Sequence, residues 1–461
     1  MHRCTVKERW AAGAARPVAG ADVISLMRRF RLFEVFASRP EVRRLLHGME
    51  FLKQRNSNLK KRYLIIPLLA ASLSTFAQRK DNGYMKKKLA VTDVAALFSY
   101  YTQDNNHSAV TGGKGTEDLQ VYSAQTFVDL QRDSANTYHI NAGVDVISSA
   151  STDNIDYEVS SASKEDFRAY MKIGYDHKIK RTGYTMGFNG AFSLESDYMS
   201  YGVGGFLSHA SEDQSREWSA MLQCYFDDLR WYDHGNHDIL VYPVELRDTE
   251  WFDIYRRNSY NFSFAFSQVL NPKMSLGVYP GVSYQSGLLS TPFHRVYFRD
   301  DTERVENLPQ SRLRIPIGIQ LNSFIGSRLI VRTYYRFYWD DYGMNAHTIN
   351  IESAFKINPV LTVIPFIRVY RQSATDYFKP YAHHNPLNEF YTSDYDLSQF
   401  ESYKPGIGLR YAPFIKKGRM IFKEVELRYA FYKRSDGLTA NMISLFIDGG
   451  VERKRKNADL D

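Results

Sequence analysis

Clusters of histidine and carboxylate residues are the strongest candidates for metal binding in this 461-residue sequence. One segment holds two histidines and two carboxylates within six residues, a ligand set that suits a transition-metal ion: Asp233, His234, His237 and Asp238. The spacing is tight and Gly235 lies among them, which is typical of an exposed loop. A metal site and a solvated loop are therefore the two interpretations, and the solvated loop is preferred.

An acidic stretch is the second candidate, because a hard cation such as Ca²⁺ binds several carboxylate oxygens. Its acids are Asp153, Asp156 and Glu158, but the glycine and the spaced glutamate of an EF-hand loop are missing, so a solvated hairpin loop is preferred. The glycine-rich segment 111–116 lacks the order of a phosphate-binding loop and is predicted to be a flexible connection. We expect that the protein binds no cofactor and is not an enzyme.

Strict alternation of apolar and polar residues recurs along the chain and indicates β-strands with one apolar face. Leu313, Ile315, Ile317 and Ile319, for example, alternate with charged, polar or small residues. About sixteen such segments have the 10–13 residues that a tilted membrane strand needs. They lie near 92–103, 119–130, 136–149, 165–177, 183–194, 198–209, 217–230, 258–269, 274–285, 312–324, 327–339, 347–357, 361–372, 403–414, 420–433 and 438–449.

Short and long connections alternate between these segments. Arg132–Ser134 and Gly326–Ser327 are short, whereas 231–257, 286–311 and 373–402 are long. This pattern predicts an all-β fold, a transmembrane antiparallel β-barrel of about 16 strands (14–18), with both termini in the periplasm. The alternative, a soluble all-β fold, explains neither the one-sided apolar faces nor the alternating loop lengths.

The polar face of each strand must then line the interior of the barrel. We expect these charged residues there: Asp129, Asp145, Arg168, Lys172, Arg314, Arg332, Arg336, Glu352, Arg368, Arg410, Glu426 and Arg428. Acids and bases are nearly balanced, which favours cross-strand ion pairs that stiffen the interior over a lining that selects ions or solutes. In particular, Arg314, Arg332, Arg336 and Glu352 are expected to pair with one another.

The front of the chain has the features of a secretory signal. In residues 49–77, a basic stretch precedes the apolar run Leu64–Leu73, and Ala77 provides a small residue before Gln78. The 14 residues from Leu64 to Ala77 are too few to span a bilayer as a helix. We predict cleavage near Ala77. Residues 1–48 are predicted to be an over-extended start, and an Arg-rich targeting extension is the alternative.

The charge distribution separates this front from the rest. Residues 1–77 hold 15 Lys and Arg against 5 Asp and Glu, which leaves 44 basic and 46 acidic residues for the remainder. The overall charge of +8 therefore gives no reason to expect nucleic-acid binding by the main body. We divide the chain into the start (1–48), the signal peptide (49–77), a short periplasmic lead (78–91), the barrel (92–450) and a charged tail (451–461).

Several stretches resemble the family of uncharacterised bacterial proteins known as domain of unknown function 3570. They are Gly115–Asp118, Val144–Ser151 and Ser160–Ser163, the last followed by Glu165, Asp166 and Arg168. The resemblance extends over about 85–450. It implies an outer-membrane barrel and brings no catalytic residue with it.

Taken together, these features predict a barrel in the bacterial outer membrane that acts as a channel, transporter or envelope scaffold for an unknown substrate. A non-conducting barrel that docks a periplasmic or extracellular partner is the second candidate, and a barrel hydrolase is the third. The expected partners are outer-membrane lipid, the barrel-assembly machinery and periplasmic proteins, without nucleic acid.

Overall fold

The structure, a computed structural model, describes residues 91–149, 165–195, 199–229, 256–291 and 294–452. Nineteen strands lie in these ranges: β1 Val91–Asp104, β2 Leu119–Gln131, β3 Asn136–Ser149, β4 Glu165–Ile179, β5 Tyr184–Leu194, β6 Met199–Ala210, β7 Arg216–Asp228, β8 Arg256–Asn271, β9 Met274–Gly287, β10 Arg295–Tyr297, β11 Glu303–Val305, β12 Ser311–Ile325, β13 Leu329–Asp340, β14 Asn345–Lys356, β15 Leu361–Gln372, β16 Phe400–Tyr411, β17 Ile415–Lys417, β18 Met420–Arg434 and β19 Thr439–Glu452. Within the same ranges, no helix has the length and apolar character to cross a membrane.

Sixteen of these strands are long, and each pairs antiparallel with the long strands before and after it in the chain. The first and last strands pair along their whole length, from Val91 opposite Glu452 to Asp104 opposite Thr439. The sheet is therefore closed and leaves no edge with unpaired backbone groups. Strands β10 and β11 form a separate hairpin, and β17 lies beside the start of β18.

Alternate side chains of the barrel strands point outward, and most of these are apolar. Phe188, Val203 and Ile407 are 68%, 56% and 52% exposed, which is unusual for large apolar residues in a protein surrounded by water. Aromatic residues flank this apolar belt, with Trp218 near one rim and Trp339 near the other. The prediction of an antiparallel transmembrane barrel of about sixteen strands is confirmed.

The two ends of the barrel differ in their connections. At one end, which we call the turn end, the strands are joined by short segments such as 180–183 and 326–328, and β1 starts and β19 ends there. Positive φ angles at Gly183 and Gly326 allow the chain to reverse tightly. The opposite end, which we call the loop end, carries the long segments 105–118, 288–310 and 373–399.

Several strand ends differ from the predicted ranges by a few residues, and in β16 both ends are shifted. The alternation predicts 403–414, but β16 spans Phe400–Tyr411. Pro413 has no amide hydrogen to donate to a neighbouring strand, and Phe414 has a φ of 52°, so the ladder ends before them. The predicted signal peptide and start, the charged tail beyond Glu452, and the candidate cation sites at 153–158 and 233–238 lie outside the described residues.

Candidate functional site

Strand register determines which charged residues share the interior of the barrel. Asp129 pairs with His139, Asp145 with Arg168, and Arg410 with Glu426, always on the face opposite the apolar belt. The same alternation places the other charged residues of the predicted lining on that face: Lys172, Arg314, Arg332, Arg336, Glu352, Arg368 and Arg428.

A branched network of ion pairs crosses the interior around Glu352. Arg332 Nη1 on β13 lies 2.8 Å from Glu352 Oε1 on β14, and Arg428 Nη1 on β18 lies 2.9 Å from Glu352 Oε2. Arg428 Nε also contacts Glu426 at 2.5 Å. Arg428 spans the two intervening strands because Gly408, its cross-strand neighbour, has no side chain to block its path.

Other interior charges form smaller groups around the barrel. The Nε atom of Arg168 lies 3.1 Å from Glu195, while its Nη1 is 4.0 Å from Asp145. His139 Nδ1 lies 2.5 Å from Asp129. The Arg410 guanidinium is 3.2 Å from Glu424. Further polar contacts of this kind join Lys172 to Gln223, Arg257 to Asp227 and Arg312 to Asp340.

The expected pairing among Arg314, Arg332, Arg336 and Glu352 forms only in part. Both Glu352 oxygens are taken, one by Arg332 and the other by Arg428. Asp340, directly opposite Arg314 in the register, is bound by Arg312 instead. Within the described ranges, Arg314 and Arg336 therefore form no ion pair, and the expectation that all four charges pair is wrong for these two.

Three cations form a second group, which we call the cation patch: Arg336, Arg368 and Lys404. Arg368 and Lys404 are directly opposite each other on β15 and β16, and like charges in that position repel. Both Arg336 and Arg368 are exposed although they face the interior, so there is open space beside them. None of the three forms an ion pair with a carboxylate in the part of the chain that the structure describes. Lys404 was missed in the sequence, although the alternation that places Arg410 inward also places Lys404 there.

Three long segments at the loop end pack into one structure, which we call the loop cap: 105–118, 288–310 and 373–399. Val296, Phe298 and Tyr391 form its buried apolar centre. Phe298 pairs with His384 as an isolated bridge, and the His107 ring is stacked 3.8 Å from the Tyr395 ring. The segment 111–116, predicted to be a flexible connection, packs within this cap: Gly113 lies against the Tyr395 ring, and its amide donates to the Ser108 carbonyl oxygen at 2.8 Å.

The loop cap reaches into the mouth of the barrel. Gln372, on the inward face of β15, donates hydrogen bonds from Nε2 to the carbonyl oxygens of Asp396 at 2.9 Å and Ser398 at 2.6 Å. Arg434, on the inward face of β18, forms an ion pair with the Asp396 carboxylate. These contacts anchor the segment around Asp396 to the inner face of the barrel wall at the loop end.

One group in the cap brings together metal-binding side chains from two segments. His294 Nδ1 lies 3.7 Å from Glu306 Oε1 and 4.0 Å from Asp394 Oδ2. Burial raises the pKa of Asp394 to about 6, and the pKa of nearby Glu117 is raised to about 7 by burial and by the charges of Asp396 and Asp394. Burial disfavours a charged imidazole, but Glu306 and Asp394 outweigh it and raise the pKa of His294 to about 9.

Sequence spacing gave no sign of this group, because its members come from distant parts of the chain. His384 of the same cap is fully buried, whereas the neighbouring His383 is exposed. The Nε2 atom of His384 lies 3.0 Å from the carbonyl oxygen of Thr392, and its ring packs on Phe298 and Tyr391. We assign His384 to the packing of the cap.

Many solved structures are similar in fold to this chain, and three of them are outer-membrane proteins of the following kinds. A bacterial polysaccharide outer membrane secretin has 10% identity and a TM-score of 0.42, covering 80% of this chain and 99% of that chain. A BenF-like porin from Pseudomonas fluorescens has 10% identity and a TM-score of 0.37, with 80% and 100% covered. The outer membrane protein OpdK from Pseudomonas aeruginosa has 8% identity and a TM-score of 0.37, with 79% and 99% covered.

Among curated proteins, none matches this sequence significantly. The family model described as "Protein of unknown function (DUF3570)" matches residues 68–446, most of the chain, in agreement with the resemblance found in the sequence. The chain therefore belongs to the DUF3570 family.

Proposed function

We propose that this protein is a bacterial outer-membrane channel with a preference for small anionic solutes. The main support for this proposal is the cation patch of Arg336, Arg368 and Lys404, which faces the interior without carboxylate partners among the described residues. The apolar belt supports a position within a bilayer, and the predicted signal peptide directs the chain to the envelope. In this orientation the turn end faces the periplasm and the loop end faces outward.

The charges of the patch suit transient binding rather than tight capture. A carboxylate or phosphate on a passing solute can replace part of its hydration shell with hydrogen bonds from guanidinium and ammonium groups. Because Arg336 and Arg368 remain exposed to the interior, a solute can leave as readily as it enters. The repulsion between Arg368 and Lys404 is relieved whenever an anion lies between them.

The ion-pair network serves a different purpose from the patch. Arg332, Glu352, Arg428 and Glu426 neutralise one another and cross-link strands that are distant along the sheet. We therefore assign structural support to the paired charges and selectivity to the unpaired ones.

The test is conductance of the purified barrel in a planar bilayer under a KCl gradient. We expect a reversal potential of the sign that reports anion preference, and Arg368→Ala combined with Lys404→Ala should shift it towards the cation side. Arg371→Ala is the matched control, because Arg371 lies on the same strand but on the outer face, paired with Glu401 and 66% exposed. An unchanged reversal potential in the double variant, or a shift of equal size in the control, would refute the assignment.

The second candidate, a non-conducting barrel that docks a partner, is favoured by the contacts that anchor the loop cap to the inner face of the barrel wall. It predicts no conductance from a folded barrel even in high salt. The same recordings therefore separate the two functions.

A further inference from the structure

We propose that His294, Glu306 and Asp394 form a binding site for a divalent transition-metal ion that ties two segments of the loop cap together. His294 and Glu306 come from the segment 288–310, and Asp394 comes from the segment 373–399. This site is independent of conduction, so its test does not depend on the proposed channel function.

The geometry is close to that of a metal-bound set. One ligand atom from each residue lies within 4.8 Å of the others, and the two contacts made by the His294 nitrogen measure 3.7 and 4.0 Å. Ligands about 2.0–2.2 Å from a tetrahedral Zn²⁺ ion are roughly 3.3–3.6 Å apart. The two contacts of the His294 nitrogen are thus within about 0.7 Å of that spacing, and the two carboxylate oxygens, which lie within 4.8 Å of each other, would have to move closer by up to about 1.5 Å to bind the same ion.

The carboxylates are held in place by hydrogen bonds that leave ligand atoms directed at His294. Glu306 is 2% exposed; its Oε2 accepts from the Thr291 amide at 2.7 Å, and its Oε1 accepts from the Thr392 hydroxyl at 2.5 Å. Asp394 Oδ1 accepts from the Asp396 amide at 2.8 Å, so Oδ2 is the oxygen that faces His294. Such outer hydrogen bonds orient the ligands of known metal sites.

The imidazole provides a second, independent observation. The Nδ1 atom of His294 is shielded from solvent and has no hydrogen-bond partner among the described residues. Instead it faces the two carboxylate oxygens at 3.7 and 4.0 Å, beyond hydrogen-bond distance, so their charges act on it across a gap. A metal ion placed in that gap would replace the imidazole proton that the carboxylates favour and would bond to all three ligands.

Charge and ligand type indicate which cation fits. Asp394, Glu306 and nearby Glu117 bring several carboxylates to one enclosed place, and a divalent ion would offset their repulsion. Calcium and magnesium prefer oxygen ligands alone, whereas an imidazole together with carboxylates suits zinc and similar transition metals. Three protein ligands leave room for a water molecule in a tetrahedral shell.

Zn²⁺ titration of the purified full-length barrel, stripped with chelator and followed by calorimetry, tests the site directly. We expect His294→Gln to weaken Zn²⁺ binding at least tenfold. Asp394→Asn should do the same, and it provides a second variant if one of the two folds poorly. Folding of each variant is checked by the compact migration of the unheated barrel in detergent gels.

Two controls separate this site from other histidines. His383→Gln removes an exposed histidine of the segment 373–399, and His234→Gln with His237→Gln removes the candidate ligands of the predicted loop at 231–238. Both should bind Zn²⁺ like the natural sequence. Loss of binding in the loop variant with retention in His294→Gln would overturn the proposal, as would a folded natural barrel that binds no Zn²⁺ at micromolar concentrations.

Protease protection tests whether the bound ion links the segments 288–310 and 373–399. Zn²⁺ should slow protease cleavage within the loop cap of the natural protein severalfold and should leave cleavage of His294→Gln unchanged. Binding without protection would refute the part of the proposal that assigns the ion a structural role.

Discussion

At the scale of single residues, the interior of the barrel divides its charges into two classes. Two interior carboxylates are already saturated, since Glu352 binds two arginines and Asp340, at the loop end of β13, accepts from Arg312 and from the Tyr338 hydroxyl. Cations beyond this capacity have no acid left to bind. This explains why near-equal numbers of acids and bases in the sequence still leave Arg336 and Arg368 unpaired.

Arg332→Ala should lower stability by about 1 kcal/mol and leave ion selectivity nearly unchanged. The loss is modest because Arg428 still compensates Glu352 after the substitution. Detergent unfolding titrations measure the first effect and bilayer reversal potentials measure the second. Glu352→Gln in the same background gives the coupling between the two residues. A shift of selectivity at constant stability would instead make Arg332 part of the solute path.

Phe264→Arg should destabilise the barrel by roughly 2–4 kcal/mol, because it puts a charge at the middle of the lipid-facing side of β8. Phe264 is on the outer face, where its ring centroid is 6.3 Å from that of Trp218. Ser263→Arg, one position earlier on the inner face, is the matched control and should cost much less. Unfolding titrations in lipid compare the two, and equal costs would contradict the assignment of faces.

At the scale of elements, the strands were predictable and the loop cap was not. Period-two alternation is local, so strands such as β7 at Arg216–Asp228 and β15 at Leu361–Gln372 agree with the expected 217–230 and 361–372. Barrel closure follows from strand count and alternation. The short strands β10 and β11, by contrast, pair only with each other and pack against the distant segment 373–399 through bridges such as that between Phe298 and His384, and no periodic pattern marks them.

The group His294, Glu306 and Asp394 was beyond sequence reasoning for the same reason. The sequence shows histidines and carboxylates clustered only at positions such as 233–238, where the candidate ligands are neighbours in the chain. Folding instead brings together single residues whose neighbours in the chain are unremarkable. The alternation in the sequence was enough to infer which charged residues face inward. It was not enough to infer which carboxylate each arginine binds, since Arg428 reaches across two strands to Glu352.

Gly113→Ala should loosen the loop cap. Gly113 has a φ of +87°, and an added Cβ would lie 2.8 Å from the Tyr395 ring and 3.0 Å from the backbone oxygen of Ser393. Gly115→Ala is the control: its φ of +82° imposes a similar conformational cost of about 1–2 kcal/mol, but its nearest atom is 3.4 Å away. Hydrogen exchange of amides in 105–118 and 373–399 should accelerate for Gly113→Ala beyond the control. Equal exchange in both variants would show that the contact with Tyr395 does not hold the cap.

At the scale of the whole molecule, the barrel is polar inside and apolar outside, the reverse of a protein surrounded by water. A bilayer is the environment that covers the outer belt, and a closed sheet is the form in which strands can cross it with every backbone group paired. The chain must therefore reach the envelope before its apolar face is covered, which gives the predicted signal at 49–77 a physical purpose.

The mature protein should begin at Gln78. Residues 49–77 carry the basic stretch, the apolar run and the small residue at Ala77 that signal cleavage requires. Removal would leave the barrel whole, because its ring of sixteen long strands lies between Val91 and Glu452 and closes through the pairing of β1 with β19. N-terminal sequencing of the protein isolated from bacterial envelopes measures the cleavage point. A mature chain that retains residues 1–48 would contradict both the cleavage and the over-extended start. It would favour the alternative, in which an Arg-rich extension targets the barrel to the membrane.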